Sequence, residues 1–277
     1  MLSTPRLEEW KWPTRIISCI CASVFFSQLH ASDASPPATT QTTQPPDTSP
    51  AAAASQPAGP DGDAIDLSSP EAAIRQALAY KQRGDVADAL RCLDAAGIQF
   101  PKNEGLLNEY GLALVDSGRL DDGIGKYREA IGLNPKFVAA HLNLSNALFA
   151  QGNFKESAEQ LQIAIKIDPR SFEAYMNSGV MLSRLKNYPA AARMFQVAAP
   201  LRPDSSLAHD DLGVTLAQQG FLAEAVDQFT EAVRLKPDFK EAREHLARAR
   251  AEVDAKKQSG SCSLAATKSS SCDHESK

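Results

Sequence analysis

Chemistry-bearing motifs are what this 277-residue chain lacks. Its five cysteines form no close C-x-x-C pair and its histidines stand at no metal-ligand spacing, which argues against a zinc site. Nucleophile elbow, phosphate-binding loop and dinucleotide fingerprint are all missing. Lysine and arginine do not cluster, and the net charge is -5, so the footprint needed to neutralise phosphates is not there and a nucleic-acid partner is not expected. No apolar run reaches the length of a bilayer span. The apolar, charge-free stretch 16–29 is 14 residues long.

That stretch suits the apolar region of a signal peptide, behind Arg6, Lys11 and Arg15, although Glu8 and Glu9 make the charged start imperfect. A signal peptide over 1–31 is expected, cut after Ala31, with Ala34 as a second candidate. Ile16-Ile17-Ser18-Cys19 superficially fits a lipoprotein box, but it leaves no apolar region ahead of the cut and wastes the one behind it. Residues 32–67 are dense in Pro, Ala, Ser, Thr and Gln and hold almost no large apolar group. Such a segment cannot bury enough surface to offset its ordering entropy and reads as a disordered linker. The expectation is a periplasmic or extracellular protein that meets a membrane only transiently, through the signal.

What is present is a period. Pro101, Pro135, Pro169, Pro203 and Pro237 stand 34 residues apart, and Ala96, Ala130, Ala164, Ala198 and Ala232 keep step five residues upstream. A fixed period of this size marks a solenoid whose units bury their apolar faces only against neighbours. The units are 70–103, 104–137, 138–171, 172–205 and 206–239. Each divides into helix A and helix B. Ser69-Pro70-Glu71 is a helix start, with a hydroxyl cap, proline at the first helical position and an acid in the first turn. Positions eight (Ala77, Gly111, Ser145, Gly179, Gly213) and twenty (Ala89, Gly123, Ser157, Ala191, Ala225) are small throughout, as the crossing of two close helices requires. Positions eleven (Tyr80, Leu114, Leu148, Leu182, Leu216) and twenty-four (Leu93, Tyr127, Leu161, Phe195, Phe229) supply the core around it. Gly84, Gly118, Gly152 and Gly220 end helix A in the left-handed region; the fourth unit has Lys186-Asn187 there, and asparagine is expected to take that backbone.

Small residues at eight, twenty and twenty-seven, large ones at eleven and twenty-four and proline at thirty-two resemble the tetratricopeptide repeat over 70–239. The resemblance implies an all-α fold, a right-handed superhelical α-solenoid of five hairpins. Residues 240–257 continue the helix A phase as a capping helix, and 258–277 read as a disordered tail in which Cys262 and Cys272 are free or paired. With signal, linker, cap and tail around the repeats, no sequence is left for a catalytic module, so neither an enzyme nor a cofactor nor a small-molecule substrate is expected. His141 and His209 at position four are expected to pack, and Asn143-Leu144-Ser145 to be a chance glycosylation match inside a helix.

The expected site is the concave face formed by positions two, five, six, nine, twelve and thirteen of helix A, which share one side of the helix. Its residues are Leu112, Val115, Leu142, Asn143, Asn146, Phe149, Met176, Asn177, Val180, Asp211 and Val214. A contiguous apolar wall points to a protein or peptide partner, with Phe149, Met176 and Val180 as anchors. The family resemblance adds that Asn143 and Asn177 clamp the backbone of an extended segment, each amide supplying a donor and an acceptor. A clamp for a C-terminal carboxylate needs Lys or Arg at positions five and nine, and this face has none. Inter-repeat packing is the competing reading of the apolar positions, and self-association through convex or end surfaces the competing role.

Overall fold

A computed structural model describes residues 64–269, with side chains to Gln258. The expected signal peptide, most of the expected linker and the end of the tail lie outside the described residues. Two compact units divide after Ile167. The first holds α1 (Pro70–Arg83), α2 (Val86–Gln99), α3 (Glu104–Asp116), α4 (Leu120–Leu133), α5 (Val138–Gln151) and α6 (Phe154–Ile167). The second holds α7 (Phe172–Arg184), α8 (Tyr188–Leu201), α9 (Ser206–Gln218), α10 (Leu222–Leu235) and α11 (Lys240–Ser269). Odd-numbered helices are A helices and even-numbered ones B helices.

Each boundary has a local cause. Ser69 Oγ accepts from the Ala72 amide at 3.1 Å, with Pro70 following. The same capping recurs two residues after later ladder prolines, where Asn103, Ser171 and Ser205 accept from the amides of Leu106, Ala174 and Ala208. The two ladders meet in one hydrogen bond. The residue before each of four prolines donates its amide to the ladder alanine's carbonyl: Phe100 to Ala96, Asn134 to Ala130, Arg202 to Ala198 and Lys236 to Ala232, at 2.7–3.3 Å. The proline that follows lies in a turn, has no N–H to continue the ladder and stops the B helix there. The alanines are fully buried.

Hairpins close where the side chains are small. A Cβ on Gly179 would lie 2.5 Å from Phe195 Cε1, so only glycine lets that ring cross under α7. In the third hairpin the crossing is polar instead: Ser157 Oγ donates to the Ser145 carbonyl at 2.9 Å and lies 2.9 Å from Ser145 Oγ. In the first unit one core gathers Tyr80, Leu93, Ala96 and Leu106, and another Leu112, Ile124, Tyr127, Leu144 and Leu148. In the second, Val214, Leu222, Ala225 and Phe229 pack with Ala249, Leu246 and Val253 of α11.

Two expectations are corrected. In the fourth hairpin it is Lys186, not Asn187, that takes the left-handed backbone, at φ 59°. Asn187 has φ -87° and caps α8, accepting from the Ala190 amide at 3.4 Å. The turn geometry is dictated by the hairpin, and the residue that happens to stand at the glycine position adopts it. Secondly, the capping helix does not stop at Lys257: α11 runs to Ser269. No proline follows Lys257 to break it. The question of a Cys262–Cys272 pair lies outside the described side chains.

Candidate functional site

In each unit one pair of neighbouring A helices is joined by a polar contact. Asn143 Nδ2 on α5 donates to Asn108 Oδ1 on α3 at 2.9 Å. His245 Nδ1 on α11 lies 2.9 Å from Asp210 Oδ1 on α9. In both cases position six of one A helix meets position five of the A helix before it, 35 residues upstream. The pattern arises because, within a unit, these neighbouring A helices lie side by side in the same phase.

In the first unit this contact joins α5 to α3. Leu142 and Asn143 are buried, as is Leu112, while Val115, Asn146 and Phe149 are half-buried. Leu112 and Val115 pack into the core beside Tyr127 and Leu148. Asn108 passes the chain on, donating to Glu109 Oε1 at 3.2 Å, and Glu109 Oε2 has no partner. Burial pushes the Glu109 carboxyl up from its ordinary range, against the pull of Lys81. Lys81 itself is paired with Asp116 at 2.7 Å. Phe149 rests on Phe154 across the α5–α6 turn, ring centres 5.1 Å apart, and Phe154 is 42% exposed. Phe154 belongs to a B helix and so lies off the positions that define the face. Its signal was the second aromatic five residues after Phe149, on the far side of Gly152.

In the second unit the apolar members are packed away. Met176 and Val180 of α7 are 6% and 7% exposed, and Val214 of α9 is fully buried. These three serve packing within the unit, and the same burial holds for Leu142 in the first. The polar members are buried without full compensation. Asn177 Nδ2 and Ser183 Oγ on α7 and Asp210 Oδ2 on α9 have no partner. Asp211, 2% exposed, is held well above the ordinary carboxyl range, first by burial and then by the charge of Asp210. His245 lies against the Phe229 ring, centres 5.3 Å apart. Asp210 and His245 were legible only as members of positions five and six; their juxtaposition needs the 35-residue register.

Among the described residues, the buried side-chain atoms without a partner are Glu109 Oε2, Asn177 Nδ2, Ser183 Oγ and Asp210 Oδ2. All four stand on A helices, at positions six, six, twelve and five. The histidines at position four are engaged elsewhere. His141 Nδ1 lies 2.7 Å from Gln160 Oε1 and its Nε2 3.1 Å from the carbonyl of Pro135, and His209 Nδ1 lies 2.9 Å from Gln228 Oε1. They tie helix A to helix B. Asn143, in the glycosylation match, is 4% exposed in mid-helix. No helix among the described residues is long and apolar enough to cross a membrane.

A family model described as tetratricopeptide repeat matches residues 74–137, 110–171, 142–206 and 211–252, more than half of the chain. Among curated proteins, the peroxisomal targeting signal receptor of Saccharomyces cerevisiae is 32% identical over 92 residues, 33% of this chain and 15% of the receptor. The chain thus matches a small part of that relative's length. Among solved structures, a thermophilic TPR protein of Thermus thermophilus aligns with a TM-score of 0.54 at 19% identity, over 65% of this chain and 98% of its own. YrrB, described as a TPR protein with an unusual peptide-binding site, aligns with a TM-score of 0.50 at 18% identity, over 65% of this chain and 92% of its own. At these identities the structural likeness establishes the fold alone.

Proposed function

The chain belongs to the tetratricopeptide repeat family, and from that premise we propose that it is a non-catalytic scaffold binding a partner polypeptide on the inner faces of its A helices. One observation carries this reading. The buried polar atoms left without partners stand on A helices, at groove positions, and a buried unpaired donor or acceptor costs about 1–3 kcal/mol until something satisfies it. A segment whose main chain offers both a carbonyl and an amide supplies what Asn177 and its neighbours lack. In the first unit the accessible anchors are Phe149, Phe154 and Asn146; in the second, Asn177 is the contact. YrrB and the peroxisomal receptor, named for a peptide-binding site and a targeting signal, are in keeping with a peptide ligand.

The test is capture of a partner from native extract by the full chain and by two variants, Phe149→Ala and Asn177→Ala. Phe149 is half-buried, so its truncation is expected to weaken capture at least about tenfold with an unchanged melting transition. Undiminished capture by both variants removes the groove assignment.

A second role, self-association, is favoured by apolar side chains on the B helices, with Ile98 79% exposed and Leu133 and Val197 at 43% and 40%. Concentration-dependent light scattering separates it from the scaffold reading. We also propose export, on the strength of the 16–29 stretch. N-terminal sequencing of the natively expressed protein is expected to begin at Ser32 or Ser35; a start at Met1 or Leu2 overturns it.

A further inference from the structure

The unpartnered atoms of the second unit are of two kinds, and together they describe a side chain. Asp210 is 1% exposed; its Oδ1 is taken by His245 and its Oδ2 meets no donor. Asp211 lies beside it in sequence, 2% exposed. On the neighbouring helix α7, Asn177, 7% exposed, holds an amide donor with no acceptor. The other residues at positions five and nine of α7 and α9, namely Met176, Val180 and Val214, are apolar and buried.

From this arrangement we propose that the A-helix face of α7 and α9 receives a lysine or arginine of the partner segment, with its cationic head on Asp210 Oδ2. The inference rests on the groove reading above and adds what the partner must carry.

Three observations converge on it. First, the missing group at Asp210 is a donor. Lys and Arg offer three and five N–H donors and no acceptor, whereas an acidic segment brings only repulsion. Secondly, the carboxylate is buried, with Asp210 1% exposed. A main chain cannot reach such a carboxylate, but a long stem that is apolar along its length and charged only at its tip can. Thirdly, several cations of this unit are committed to other carboxylates: Arg202 to Glu173 at 2.5 Å, Arg234 to Glu231 at 2.6 Å, Lys240 to Glu244 at 3.6 Å and Arg248 to Glu252 at 3.1 Å. His245 serves one oxygen of Asp210. Asn177 then fixes the register, donating its Nδ2 to a main-chain carbonyl of the same segment.

The probe is a random dodecapeptide display library panned on the full chain at low salt. Recovered peptides are expected to be enriched in Lys or Arg at one position. A synthetic representative should bind about tenfold more weakly when that residue is replaced by norleucine or citrulline, and Asp210→Asn should cost about as much. Because Asp210→Asn also alters the contact to His245, wild-type protein supplies an independent reading: capture should fall as salt is raised. Recovery of acidic or uncharged peptides whose capture depends on Asn177 overturns the cation assignment and leaves the groove standing. Recovery of no peptide overturns both.

Discussion

Lys186 shows how a single backbone position records the demands of a hairpin. Four of the five A-to-B turns use glycine with φ between 84° and 89°, and the fifth imposes φ 59° on a lysine. For an L-residue the left-handed region costs about 1–2 kcal/mol, because Cβ crowds the following carbonyl. Glycine avoids that clash but gives back about 0.5–1 kcal/mol through the greater freedom of its unfolded chain. Lys186→Gly is therefore expected to stabilise the protein by up to about 1 kcal/mol, read as a rise in urea midpoint at unchanged slope. An unchanged or lower midpoint means that contacts of the lysine side chain outweigh the strain. The pair Lys186-Asn187 was visible in the sequence, but not which of the two bears the strain. That depends on the phase of α8, which takes Asn187 as its cap.

At the scale of the element, the A helices were legible in period and phase and much less so in exposure. Helical spacing places Leu142, Met176, Val180 and Val214 on one side, yet says nothing of how closely packed helices cover that side. Bulky apolar groups at positions five and nine fill the gap between helices, while Asn146 and Phe149 at nine and twelve stay partly accessible. The same closeness makes the register from position six to position five, which no single helix reveals. Where both residues are polar the register is satisfied, as at Asn143 and Asn108. For Asp211 the residue at the corresponding position five is Met176, and a thioether is at best a weak acceptor. Burial and Asp210 then favour the protonated form of Asp211 in the fold, raising its carboxyl well above its ordinary 3.8. A raised carboxyl pKa means that the folded chain holds more protons than the unfolded one above that pH. Its contribution is thus full below about pH 3.8 and is lost as pH rises towards the folded value. Asp211→Asn, which keeps the shape and cannot ionise, is expected to raise stability more at pH 8 than at pH 5. Urea unfolding at the two pH values checks this, and equal gains at both rule out a proton held by Asp211.

For the whole molecule, a repeat array gains stability from each hairpin and from the interfaces between neighbours, so damage at one end stays local. The unit from Asp168 onward ends on α11, whose Leu246, Ala249 and Val253 cover Val214, Leu222 and Phe229, and whose His245 reaches Asp210. Removing residues 240–277 uncovers that apolar surface and leaves a second oxygen of Asp210 without a partner. At about 1.5–3 kcal/mol for each large apolar side chain fully returned to water, exposing Leu222 and Phe229 costs at most about 3–6 kcal/mol. The cost should fall on the α9–α10 hairpin. Hydrogen exchange is expected to show protection lost in Ser206–Leu235 while amides of α1 to α5 exchange as before. Loss of protection throughout would mean that the array folds as one cooperative block. The proposed lysine or arginine contact would then depend on hairpins far from α9, rather than on the local packing of α7, α9 and α11.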